Sequence, residues 1–314
     1  MLCYCCSRWG SSVKTNYTMK VLSTRILFLI FVFVVMQSFP AITQDALLWK
    51  IPGNENGNTS YIYGTIHLRD KRVFAFADTV LNYLDLCDKL VLEMDLNPLI
   101  LMQSASLMML PADSTLHDVF QPDDLSVIKE TVKKMTGMDF ASVEKLKPVV
   151  LFSLVMQHQM KGDMSYTLDE YLYRKGVESG REIVGLETFE EQFRLLETIP
   201  LEIITEYLKD PSKDEEELEL MICCYLESDI DKLLQIMQKD ETMIVMKKEF
   251  LDDRNRKMAE SIGTLMQDNS VLVAVGAGHL AGEDGLINLL KQKGYFAEPI
   301  VLGIPEDFAC ETQD

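Results

Sequence analysis

The sequence predicts an α/β fold: a central mixed β-sheet flanked by helices, with a large helical insertion between the first and last sheet strands. Short apolar runs of strand character recur near both ends of residues 45–314 and alternate with helical patterns, as in a sheet covered by helices. Between them, residues 98–265 read as mainly helical, interrupted by a single strand-like run. The 314 residues suffice for one large α/β domain or two small ones. No Pro/Gly/Ser-rich linker, low-complexity tract or fixed-period repeat divides residues 45–314, so they read as a single domain.

In chain order, Ala46–Ile51 and Ser60–Leu68 bracket the turn-rich run Gly53-Asn54-Glu55-Asn56-Gly57, a hairpin signature. A helix follows, with Phe76, Val80, Tyr83, Leu84 and Cys87 on one face, and leads into the buried-type strand Lys89–Met94. The Met-rich stretch Leu99–Leu110 suits core or a soft interface better than thioether metal ligation. Arg181–Leu186 is again strand-like. The acidic run Asp214–Glu217 fits a solvated helix start, where carboxylates complement the helix dipole. Strand Ser270–Val275, a helix over Gly285–Lys293 and a last strand around Pro299–Leu302 complete the pattern.

Residues 1–44 form an N-terminal extension with the parts of a signal peptide. Arg8, Lys14, Lys20 and Arg25 precede eleven unbroken apolar residues, Ile26–Met36, and small residues follow, with Ala41 and Thr43 placed for cleavage. Met19-Lys20 reads as a more natural start than Met1. Eleven residues at ~1.5 Å each fall short of a ~30 Å hydrocarbon layer. Export, to a secreted or periplasmic location, is therefore expected; a retained segment would anchor the chain and give its only membrane contact.

Charge narrows the function classes. Four of the 30 bases and none of the 49 acids lie in residues 1–44, and the formal net charge is −19. No basic run offsets it, which argues against nucleic acid and anionic lipid as partners. Four cysteines follow the leader (Cys87, Cys223, Cys224 and Cys310), none as Cys-x-x-Cys, so a thiolate zinc site is not indicated.

The chain has four histidines. His117 and His158 lie in helical surroundings and read as structural. The other two stand in matching contexts: Gly64-Thr65-Ile66-His67-Leu68 and Gly276-Ala277-Gly278-His279-Leu280 each follow a strand. Ligands of open α/β sheets collect at the carboxyl ends of strands, and Gly64 and Gly276 permit close backbone approach there. Glu93 and Glu187 sit at two further strand ends. Two imidazoles and a carboxylate from separate strands can hold a divalent metal with positions left for water or substrate, or can serve as acid and base. Gly276–Ala281 also fits a dinucleotide fingerprint, but only 38 residues follow Gly276 and Glu298 begins its strand instead of ending it. No Gly-x-Ser-x-Gly, His-Glu-x-x-His or P-loop pattern occurs.

With its paired Gly-x-x-His motifs (Gly64/His67 and Gly276/His279) and Glu93 between them, the chain resembles the TraB/GumN family, which includes the Tiki metalloproteases and is distantly similar to haem-binding ChaN proteins. Lys147-Pro148, Leu168-Asp169, Gly185-Leu186-Glu187-Thr188 with Glu191-Gln192, and Arg254-Asn255 with Met258 run in family order, so the resemblance covers roughly residues 45–303. It implies an α/β fold with a helical insertion and, as in Tiki members, a peptidase-like activity dependent on a divalent metal of Mn or Co type, with Zn a further choice. His67, Glu93 and His279 become the expected metal ligands and Glu187 the general base or a fourth ligand. Arg254 becomes an oxyanion or substrate-carboxylate clamp, or a structural salt bridge. Asp169 is expected to orient a histidine, or to pair with a base.

The function expected from all this is an exported metal-dependent hydrolase acting on peptide or protein, with a metal-activated water held by the two histidines and the glutamate. The alternatives are a non-catalytic haem- or metal-binding protein of the same fold, and an interaction module with a vestigial site.

Overall fold

The two runs flanking the Gly53–Gly57 turn pair as a hairpin: β1 (Leu48–Ile51) lies antiparallel to β2 (Ser60–Thr65), with Ile51 opposite Ser60 and Leu48 opposite Tyr63. The computed structural model describes residues 45–53, 57–159, 162–211, 215–239, 244, 246–304 and 308. The expected signal segment, Cys310 and the hairpin tip lie outside them.

β2 pairs in parallel with β5 (Val271–Gly276), not with the strand that follows it in sequence. On its other side β5 pairs in parallel with β3 (Lys89–Met94), and β3 with β4 (Glu182–Glu187). β6 (Glu298–Ile300) runs antiparallel to β1, giving the order β4-β3-β5-β2-β1-β6. The sheet is thus mixed, with four adjacent parallel strands whose carboxyl ends share one edge, the position where α/β sheets gather ligands. β5 lies between two parallel neighbours and buries Val271–Val275 completely, which explains its unbroken apolar run.

The expected strand Ser60–Leu68 stops at Thr65. Its partner β5 ends opposite that residue, at Gly276, so the ladder cannot continue. Ile66–Asp70 becomes a loop, closed locally by the Leu68 N–H donating to the Ile66 carbonyl at 2.7 Å. The helix Ala77–Leu84 between β2 and β3 buries Ala77, Val80 and Leu84, with Phe76 and Cys87 buried at its ends, close to the expected face.

The helical insertion occupies both long connections. Helices Pro98–Ser104, Pro122–Thr136, Pro148–Gln159 and Leu168–Glu178 separate β3 from β4; helices Phe189–Leu196, Leu201–Lys209, Glu215–Leu226, Ile230–Met237 and Asp253–Asp268 lie between β4 and β5. Leu116, Ile128, Val132, Leu151, Val155 and Leu208 belong to an apolar cluster of their own, distinct from the core around the sheet. Asp214 falls outside the described residues, and its helix begins at Glu215. The Met-rich stretch divides: Leu107, Met108 and Leu110 pack on the helical cluster, whereas Pro98–Ser104 buries no residue and leaves Met102 73% exposed. Among the described residues no helix is long and apolar enough to cross a membrane.

Candidate functional site

Each of the four adjacent parallel strands delivers one side chain to the shared edge. Glu93 is the penultimate residue of β3 and Glu187 the last of β4; His67 follows β2 by two residues and His279 follows β5 by three. They converge. Nε2 of His67 and Nε2 of His279 lie 3.9 and 3.6 Å from the same oxygen, Glu93 Oε1. That oxygen accepts the Gly276 N–H at 2.7 Å, so the backbone of the second motif fixes the glutamate between the two rings.

The far nitrogen of each ring is held as well. His67 Nδ1 lies 2.7 Å from Asp169 Oδ2, and the other oxygen of Asp169 accepts from Thr65 Oγ1 at 2.6 Å. Asp169 comes from the first turn of helix Leu168–Glu178, set by a Thr167/Glu170 capping box, where a carboxylate also suits the helix dipole. His279 Nδ1 lies 2.6 Å from Asn255 Oδ1, and Asn255 Nδ2 donates to the Asp284 carbonyl at 2.8 Å. Asp169 thus bonds the far side of the His67 ring. Asn255 does the same for the other ring, and sequence reasoning gave it no role.

Arg254 joins the two carboxylates. Its Nη2 donates to Glu93 Oε2 at 2.8 Å and to Glu187 Oε2 at 2.7 Å, while Nε reaches both Glu187 oxygens at 3.0 and 3.1 Å. Nη1 donates to the Phe250 carbonyl, within the π-helical turn Lys248–Asp252 that opens into helix Asp253–Asp268. Glu187 accepts a further bond from Gln192 Nε2, one turn into the helix that Thr188 caps. The guanidinium is directed at protein acceptors, and Glu187 is closed in by its donors with 5% of its side chain exposed.

The motif glycines differ in what they permit. A Cβ on Gly64 would stand 2.8 Å from Leu280 Cδ1 and 3.1 Å from Ala277 Cα, so this glycine lets the two motifs pack together. At Gly276 the backbone (φ −51°, ψ 134°) suits any residue, but a Cβ would meet Glu93 Oε1 at 3.2 Å, His279 Cδ2 at 3.7 Å and His67 Nε2 at 3.9 Å. The missing side chain opens the space that the three groups surround. His117 and His158 do not join them: His117 packs edge-on against Phe140, and His158 bonds the Leu154 carbonyl of its own helix.

A family model described as the TraB/PrgY/gumN family matches residues 47–299. The chain belongs to this family. It is also similar to a protein described as a metalloprotease TIKI homolog from Amphimedon queenslandica, 24% identical over 315 residues, which cover 81% of this chain and 61% of that protein. The chain thus spans less than two thirds of that relative's length. No solved structure matches it.

In this TraB-family chain the cluster holds three carboxylates, Glu93, Glu187 and Asp169, against the single guanidinium of Arg254. The surplus of negative charge acts on the rings. The Asp169 carboxylate raises His67 to about 9, with Glu93 adding to it. Burial lowers His279 and favours its neutral form. Burial alone would raise Glu93, but His279, His67, Arg254 and the Gly276 amide outweigh it and hold it near 2. Among the described residues no group of three or more His, Cys, Asp or Glu side chains is gathered closely enough to hold a metal ion as it stands. The donor set nevertheless fits one. Glu93 Oε1, His67 Nε2 and the Cδ2 edge of the His279 ring border the space left by Gly276, and carboxylate and imidazole are donors that divalent cations accept.

Proposed function

We propose that the chain is an exported metal-dependent hydrolase acting on peptide or protein substrates, with His67, Glu93 and His279 as the metal-holding groups. The observation that carries this is the approach of both Nε2 atoms to one oxygen of Glu93, with each Nδ1 engaged on its far side by Asp169 or Asn255. Metal-ligating histidines characteristically have their other ring nitrogen held in this way. A divalent cation there, of Mn or Co type with Zn a further choice, would polarise the scissile carbonyl and lower the pKa of a bound water.

The protein's own groups divide the remaining work. Asp169 and Asn255 aim the rings. Arg254 holds Glu93 from the side away from the histidines, and Glu187 holds Arg254, so both act by positioning and not by taking a proton. The strand ends and the starts of the two helices that meet them hold these groups in place, which limits the reorganisation a reaction requires. Export rests on the basic, then apolar, start of the chain, and the formal charge of −19 speaks for a substrate other than nucleic acid.

The test is cleavage of a peptide library by purified protein. Chelation should abolish it and Mn or Co restore it, and His67→Ala and His279→Ala should both lack it while remaining folded. Full cleavage by both variants would overturn the assignment. A visible absorption band on haem titration, with no cleavage of any library, would point to the ligand-binding alternative.

A further inference from the structure

Asn255 occupies an unusual place for an amide. It lies inside the helix Asp253–Asp268, 2% exposed, on the stripe formed by Met258, Ala259, Ile262 and Met266. Asparagine is a poorer helix former than alanine, and a buried amide is costly unless its polar atoms find partners. Both partners of Asn255 lie outside its helix: the Asp284 carbonyl at 2.8 Å and His279 Nδ1 at 2.6 Å.

The orientation of the amide is determined by these partners. The Asp284 carbonyl can only accept, so Nδ2 must face it, and Oδ1 is left for the imidazole. Oδ1 can only accept, so the hydrogen between them belongs to His279 Nδ1. In a neutral ring that leaves Nε2 without a hydrogen, and Nε2 is the atom 3.6 Å from Glu93 Oε1. A neutral histidine in water prefers the opposite tautomer, with the hydrogen on Nε2 and no lone pair there for a cation. Asp284 is itself fixed to the same helix, its carboxylate 2.8 Å from Arg256 Nη2, so the loop after His279 cannot readily draw the amide away.

Resting on the reading of His67, Glu93 and His279 as a metal site, we propose that Asn255 is a positioning residue that locks His279 in the Nδ1-protonated tautomer and so keeps Nε2 available as a donor before any metal arrives. A neutral amide selects the tautomer without adding charge to the site, unlike the carboxylate of Asp169 behind His67. The two ligands are therefore prepared differently, His279 by tautomer and His67 by an ion pair.

The experiment is a long-range proton–nitrogen correlation spectrum of metal-free protein labelled at histidine nitrogen, joined to calorimetric titration with Co²⁺. In the natural protein His279 should show a protonated Nδ1 and a bare Nε2. Asn255→Ala should move the hydrogen toward Nε2 and weaken Co²⁺ binding roughly 10- to 100-fold, the usual effect of losing such a partner. A bare Nδ1 in the natural protein overturns the proposal, and this is read without any variant, so a misfolded Asn255→Ala does not shelter it. A folded Asn255→Ala with unchanged tautomer and Co²⁺ affinity overturns it too. If His279 shows the expected tautomer but the natural protein binds neither Co²⁺ nor Mn²⁺, the tautomer lock stands and the metal-site reading fails.

Discussion

Arg254 and Glu187 form a two-point ion pair at the sheet edge, Nη2 to Oε2 at 2.7 Å and Nε to Oε1 at 3.0 Å, although 67 residues separate them in sequence. Both side chains are largely withdrawn from water, so removing Arg254 strands the Glu187 carboxylate, and that of Glu93 beside it, in low-dielectric surroundings. Arg254→Met should therefore destabilise the protein by about 3–5 kcal/mol in urea unfolding. Combining it with Glu187→Gln should cost less than the two single losses added together, because the second change removes one of the two charges stranded by the first. Strict additivity would show that the two side chains act independently.

The glycines of the two motifs should respond differently to one added methyl. Gly64→Ala drives a Cβ against Leu280 Cδ1 and the Ala277 backbone, and should cost about 1–3 kcal/mol of stability through overpacking. Gly276→Ala has a compatible backbone and meets Glu93 Oε1 instead, so it should change stability less and reduce Co²⁺ affinity more. Parallel urea unfolding and calorimetric titration would separate the two effects. Equal behaviour in both measurements would remove the distinction drawn between packing and site space.

The strands were legible because parallel strands buried on both faces appear as continuous apolar runs, and KLVLEM and SVLVAV are such runs. The repeated Gly-x-x-His singled out His67 and His279, and strand-end position singled out Glu93 and Glu187. The insertion of β5 between β2 and β3 was not legible, since strand order depends on long-range pairing that no local pattern records. Nor were the partners of Arg254, which depend on how helix Asp253–Asp268 packs against the end of β4. Asn255 did leave a signal that went unused: it is a polar residue at the i position of an apolar stripe that continues through Met258, Ala259 and Ile262. A buried amide in such a stripe needs partners from elsewhere, and here one of them is His279.

A buried hydroxyl pair ties the first motif to the helical insertion. Tyr225, on helix Glu215–Leu226, donates to the Gly64 carbonyl at 3.1 Å, and its oxygen lies 2.6 Å from that of Tyr63. Tyr225→Phe takes the partner from a fully buried Tyr63 hydroxyl and should cost about 1–3 kcal/mol. The double variant Tyr63→Phe/Tyr225→Phe should recover part of that loss, because no orphaned hydroxyl remains. Thermal unfolding of the three variants would decide it; a double variant as weak as the sum of the singles would mean that the pair is not coupled.

The His67–Asp169 pair gives the metal-free protein a pH dependence of definite sign. His67 is raised from 6.5 to about 9 by the Asp169 carboxylate, so the folded state binds the proton more tightly than the unfolded state. The stabilisation is present in full below pH 6.5 and is lost as pH rises toward 9. With 61% of the His67 side chain exposed, water screens the pair and the change should be modest. The melting temperature, measured with chelator present, should fall across this window, and Asp169→Asn should flatten the fall. Because a cation must displace the same proton, apparent Co²⁺ affinity should climb over the same range. A melting temperature with the same slope in the natural protein and in Asp169→Asn would remove His67 as the source, and with it the idea that Asp169 prepares this ring by charge.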